Sequence, residues 1–348
     1  MISDSYIYHY LVIFFIFLSV NFLFFMNFIK NDKYRFILVF AFISLMSIFF
    51  GIRGFNIGTD TLSYVNVFLG KSSLVIEPCF VILALIINFF TDEPQYFLLI
   101  INLLINSIML VALRNFTKNY SLVLSIFYST MLFINMNINI LRQALAISLA
   151  FLAISYLIKG RQKKFFYIIL IAIMTHYTAI IFVAAYFIIN IKFSKRNVVF
   201  FVLSCFGFYF ITVSDLLYFL KDYSDTINRL YWYFNWGISS PWQIKHVYYL
   251  FFLMIFMYAL KGYKYLGENN LKVLKIIFFG LILILLFREE EMVADRIFYY
   301  FFALGTLLIV QIKNIVKQKN LYYLILYISV NLWVVKTTVL QYPNWFLE

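Results

Sequence analysis

The 348-residue chain is 64% hydrophobic and only 12% charged, with a mean hydropathy of +0.91. That excludes a soluble globular domain, which could not hide so much apolar surface, and a membrane β-barrel, whose strands would alternate in polarity. The net charge of +13, from 28 Lys and Arg against 15 Asp and Glu, is explained by membrane topology, because the basic residues cluster in short loops between apolar runs; nucleic acid is not expected as a partner. The expected fold class is all-α, a polytopic integral membrane protein with about ten full spans plus partial or re-entrant elements, forming a single transmembrane domain over residues 1–348. Cys79 and Cys205 lie in apolar runs and form neither a metal-ligand pattern nor a disulfide framework, so no metal is expected.

Apolar runs at 6–29 and 34–50 flank the basic segment KNDKYR, which the positive-inside rule places in the cytoplasm. The first run is long and lacks a basic leader or a small-residue cleavage site, so it is expected to be a retained span. The loop near 51–75 then faces outward. It opens with GIRGFNIGTDTLSY, Gly51 to Tyr64, where Arg53 and Asp60 stand among glycines at the mouth of a helix. Ionisable groups there are functional candidates, and Gly54 and Gly58 permit an amide-rich turn suited to a phosphate. The alternative is an arginine that snorkels to the interface and glycines that make a loop.

The run 76–90, bounded by Glu77-Pro78 and by TDEP at 91–94, is short for a crossing, and a full crossing would put acidic TDEP inside. It is expected to be re-entrant or interfacial. Spans follow at 96–113, 121–133 and 140–158. The segment MNINILRQALA, Met136 to Ala146, puts Asn139 and Gln143 four apart on one helical face, where they can hydrogen-bond an acceptor hydroxyl or simply glue helices together. Arg142, inside the apolar run, needs an anionic partner or a water-filled cavity, and its fork fits phosphate oxygens.

Both flanks of 165–190 are basic, which favours a broken hairpin with Thr175-His176-Tyr177-Thr178 near its apex over one tilted span. His176 is either a satisfied core histidine or a catalytic group, and it has no companion metal ligands. Further spans are expected at 198–220, 244–260, 276–287, 297–311 and 321–335. Outward loops near 221–243, rich in aromatics, and near 288–296 lie between them. Arg296 stands at the outer start of its span, beside Asp295.

In order, these motifs are Arg53 with Gly58-Thr59-Asp60 and Tyr64, Glu77-Pro78-Cys79-Phe80, Asn139 to Ala146, His176-Tyr177, and Asp295-Arg296-Ile297. The series resembles the EpsG family of Wzy-type polysaccharide polymerases, with Cys79 standing where a glycine would be expected. The resemblance implies an enzyme of the bacterial cytoplasmic (inner) membrane that builds O-antigen, capsule or exopolysaccharide. Its substrates would be polyprenyl-diphosphate-linked oligosaccharides, with membrane lipid, a chain-length regulator and a flippase as partners. A metal-independent glycosyltransferase of this kind needs no cofactor. It requires cations for the departing diphosphate, an acceptor for the hydroxyl proton, and aromatic or amide groups for sugars. Arg53, Arg142 and Arg296 answer the first need. Asp60 answers the second, with His176 as its rival, and Tyr64, Asn139, Gln143, Tyr177, Trp232, Trp236 and Trp242 answer the third. The rival functions are a flippase of lipid-linked sugars, although no paired repeat is apparent, and a glycan acyltransferase with His176 as base.

Overall fold

The computed structural model describes residues 4–71, 77–192, scattered positions from 194 to 207, 213–223, 228, 263–288, 291–311, 318–336 and 338. The chain divides into two compact units, one built from 1–183 with 316–348 and the other from 184–315.

In the first unit, helices α1 (Asp4–Met26) and α2 (Asp32–Gly51) turn around Asn31, whose side-chain oxygen accepts the Lys33 and Tyr34 amides and so satisfies two donors at the start of α2. Two short helices follow, α3 (Thr61–Phe68) and α4 (Pro78–Asn88), the second starting on a proline whose missing N–H costs nothing at that position. Helix α4, at 11 residues, is the expected short element. Helix α5 (Pro94–Phe116) returns to the turn between α1 and α2, where Arg114 and Arg35 both pair with Asp32 at 2.7 Å.

The apolar run after α5 is two helices, α6 (Tyr120–Tyr128) and α7 (Met131–Ile138), bent by 83° at Ser129-Thr130. At the break the Ser129 and Thr130 hydroxyls donate to the carbonyls of Ile126 and Phe127, which water would otherwise have to satisfy. Helix α8 (Leu141–Ile158) lies between α5 and α9 (Gln162–Thr175). Its buried Ala144, Ala146, Ala150 and Ala153 let both neighbours approach closely, which makes it the central element of the unit. Helix α9 stops at Thr175; His176 is extended (φ −159°, ψ 119°), and a 3-10 helix covers Tyr177–Ala184.

The second unit contains α10 (Ala185–Ile188), α11 (Val213–Leu220), α12 (Tyr263–Leu286) and α13 (Glu291–Gln311), the last two packed together. The final helix, α14 (Lys319–Val335), belongs to the first unit and packs on α1, where Asn21 Nδ2 donates to Asn331 Oδ1 at 3.1 Å.

Among the described residues no strand occurs and six helices are long and apolar enough to span a membrane, or seven if α6 and α7 count as one broken span. The all-α polytopic class therefore holds, and the described residues carry six or seven candidate spans where about ten are expected over the whole chain. The run 121–133 is bent rather than straight, and α14, at 17 residues, is short for a crossing. The expected spans at 198–220 and 244–260 lie largely or wholly outside the described residues.

Candidate active site

The site is set by two junctions: the loop between α2 and α3, which meets the α7–α8 turn, and the start of α4, which meets the end of α9. At the first junction the α2 and α7 helices end without partners for their last carbonyls. Arg53 supplies them. Nη1 donates to Phe50 O (2.8 Å) and Asn137 O (3.1 Å), Nη2 to Ile138 O (2.8 Å) and Thr61 Oγ1 (3.0 Å), and Nε is shared between Thr61 Oγ1 and Ile57 O. The residue is 1% exposed, and burial pulls its pKa down to about 10, so the guanidinium stays charged at neutral pH.

Gly58 makes this contact possible. Its φ is 91°, and a Cβ there would lie 2.5 Å from Ile138 Cγ2 and 2.6 Å from Asn139 Oδ1. The turn is tied further by the Thr59 amide, which donates to Asn139 Oδ1 at 3.0 Å, and by the Tyr64 hydroxyl, which donates to Asn139 O at 2.6 Å.

At the second junction Glu77 precedes Pro78 at the start of α4, and its carboxylate is buried. Oε2 accepts from Arg142 Nη1 at 2.7 Å, and Oε1 lies 2.6 Å from His176 Nδ1. Burial by itself would raise the Glu77 pKa, but the hydrogen bond with His176, its own backbone amide and the Arg142 charge outweigh it and bring the pKa to about 2. An ionised carboxylate can only accept, so Nδ1 carries the proton and Nε2 is the free lone pair whenever the imidazole is neutral. Among the described residues nothing bonds Nε2. The Arg142 side chain is 29% exposed, in contrast to Arg53, and only one of its N–H groups is spent on Glu77.

The other expected site residues separate as follows. Tyr64, Asn139 and Gln143 are buried, and Tyr64 and Asn139 hold the turn beneath Arg142, with the Tyr64 hydroxyl within bonding reach of that arginine. Tyr177 is 56% exposed next to His176. Asp60 is half-buried at the start of α3, where Oδ1 accepts from Thr59 Oγ1. Arg296 is exposed on α13 in the second unit, and Trp232, Trp236 and Trp242 lie outside the described residues. No cluster of three or more His, Cys, Asp or Glu fit for a metal occurs among the described residues.

The model of the EpsG family matches residues 36–346, a stretch that contains both junctions. The chain belongs to the EpsG family. This is a family of Wzy-like polysaccharide polymerases. No curated protein and no solved structure matches the chain. In this EpsG protein the residue that sequence reasoning left out of the site is Glu77. Its signal is the Glu77-Pro78 pair, which the sequence offers as the boundary of a short run and as one motif of the family resemblance, with no site role attached to the carboxylate.

Proposed function

We propose that this EpsG protein joins lipid-linked oligosaccharide units by transferring the growing glycan from polyprenyl diphosphate to a hydroxyl of the next unit, on the outer side of the bacterial cytoplasmic membrane. The observation that carries the reading is the Glu77 carboxylate, which holds Arg142 and His176 at 2.7 and 2.6 Å and leaves each with a face turned away from it. The acceptor hydroxyl gives its proton to His176 Nε2 as its oxygen bonds the anomeric carbon. The bond from that carbon to the diphosphate oxygen breaks, and the electron pair leaves with the diphosphate. The remaining N–H groups of Arg142 neutralise the departing charge in bidentate fashion. Glu77 fixes the tautomer and steadies the imidazolium that forms. Tyr177, exposed next to His176, is placed to contact the acceptor sugar.

This reading moves the base from Asp60 to His176. A good leaving group needs only a weak, well-placed base, and Asp60 is tied to a neighbouring threonine, whereas His176 is oriented by a buried carboxylate. The test is turnover of purified full-length protein with lipid-linked units. His176→Gln is expected to lower kcat by roughly 10²–10⁴-fold at normal thermal stability, the range for loss of a general base. Asp60→Asn is expected to stay within about twofold of wild type, as a half-exposed residue with no essential partner should. The reverse ranking would return the base to Asp60. In cells, deletion should accumulate single units on the outer leaflet; units trapped on the inner leaflet would overturn the polymerase in favour of a flippase.

A further inference from the structure

Arg53 has the sequence position of a phosphate ligand and the surroundings of a structural element. All five of its N–H donors are committed within the protein, to four backbone carbonyls and one hydroxyl, and the side chain is 1% exposed. Two of its partners, Asn137 O and Ile138 O, are the last carbonyls of α7, and a third, Phe50 O, is in the last turn of α2. Helix C-termini carry partial negative charge, so one guanidinium between two of them is favoured electrostatically as well as by hydrogen bonding. The chain leaves the clamped α7 end through Asn139 and Ile140 and enters α8, whose second residue is Arg142. The same turn is pinned by Tyr64 and by the Thr59 amide, so Arg142 has little freedom to move relative to Arg53.

We propose that Arg53 is a positioning residue that caps the ends of α2 and α7 together and thereby aims Arg142 at the diphosphate, and that Arg53 itself does not touch the diphosphate. The proposal rests on the reading of Arg142 as the diphosphate ligand. Arginine is required at this position because five donors in a planar fork answer carbonyls that approach from two helices, whereas a lysine offers three donors from a single point.

The test uses full-length protein in lipid nanodiscs, an arginine-specific dicarbonyl reagent, and inorganic pyrophosphate as the probe, read by mass spectrometry of the modified peptides. Arg142 is expected to be modified and to be protected by pyrophosphate. Arg53 is expected to stay unmodified with or without pyrophosphate until the protein is unfolded. In Arg53→Lys that remains folded, protection of Arg142 should need at least several-fold more pyrophosphate, an effect that a merely structural role would not produce in the folded fraction. Modification of Arg53 in the folded protein with protection by pyrophosphate would overturn the proposal, as would unchanged protection of Arg142 in Arg53→Lys. Should that variant fail to fold, the wild-type modification pattern still decides whether Arg53 meets the anion. Arg142 modified but unprotected, with Arg53 still shielded, would instead overturn the diphosphate reading of Arg142 and remove the positioning role with it.

Discussion

Arg53 and Arg142 occupy similar places in the sequence, each near one end of an apolar run with polar residues a few positions away, yet the fold uses them in opposite ways. Around Arg53 the partners are backbone carbonyls at two helix ends, all within the protein, and they consume every donor. Around Arg142 the charged partner is one carboxylate, shared with His176, with the Tyr64 hydroxyl also within reach, and the guanidinium stays partly exposed. A buried arginine with no free donor can build a site but cannot bind in it. The partially exposed arginine, anchored on one side, is pre-organised for an incoming anion without having to be released from a closed network.

The comparison breaks most visibly if the two arginines are removed. Arg53→Ala would strand the carbonyls of Phe50, Asn137 and Ile138 in a dry interior at about 1–3 kcal/mol each, a large share of a typical stability margin of about 5–15 kcal/mol. It is expected to abolish recovery of monodisperse protein in size-exclusion chromatography. Arg142→Lys and Arg142→Ala are both expected to abolish polymer, since a point charge does not reproduce a bidentate fork. The lysine variant should melt near wild type. The alanine variant, which leaves the buried Glu77 carboxylate without its cation, should melt lower but still be recovered folded. A folded, inactive Arg53→Ala together with a misfolded Arg142→Ala would reverse the two assignments.

Smaller, and specific to the second junction, is the effect of pH through Glu77. Its pKa falls from an ordinary 4.5 to about 2 in the folded protein, so the stability it contributes is fully present above 4.5 and is lost as pH falls from there toward 2. Melting curves of wild type and Glu77→Gln should therefore differ most above pH 4.5 and converge below it. A gap that does not change between pH 5 and pH 3 would mean that the carboxylate's charge is not what holds the cluster. The same substitution should lower turnover less than His176→Gln, since it misorients the imidazole without removing it.

The smallest expected effect comes from Gly58→Ala. A positive φ and the close approach of Ile138 make any side chain strained, at about 1–3 kcal/mol. Because the strain falls on the turn that carries Arg142, a lower melting temperature should be accompanied by a weaker grip on the lipid-linked donor, read as a raised KM. A stability loss with unchanged KM would show that the turn does not govern Arg142.

By itself the sequence determined the class of fold and the short list of residues that matter. An apolar chain punctuated by basic clusters has to be a helical bundle in a membrane, because only helices and closed barrels satisfy their backbone there and its apolar runs lack the alternation of barrel strands. Ionisable side chains such as Arg53, Arg142 and His176 in or beside apolar runs stand out, because placing them there is costly. Only the tertiary structure decided what each one does. Glu77 lies 65 residues from Arg142 and 99 from His176, and only the packing of α4 against α9 and the position of α8 bring the three together. Nor does a sequence record which backbone carbonyls will face a given arginine. Every residue carries the same carbonyl, so the partners that close off Arg53 are set by where two helices end in space, not by any residue type.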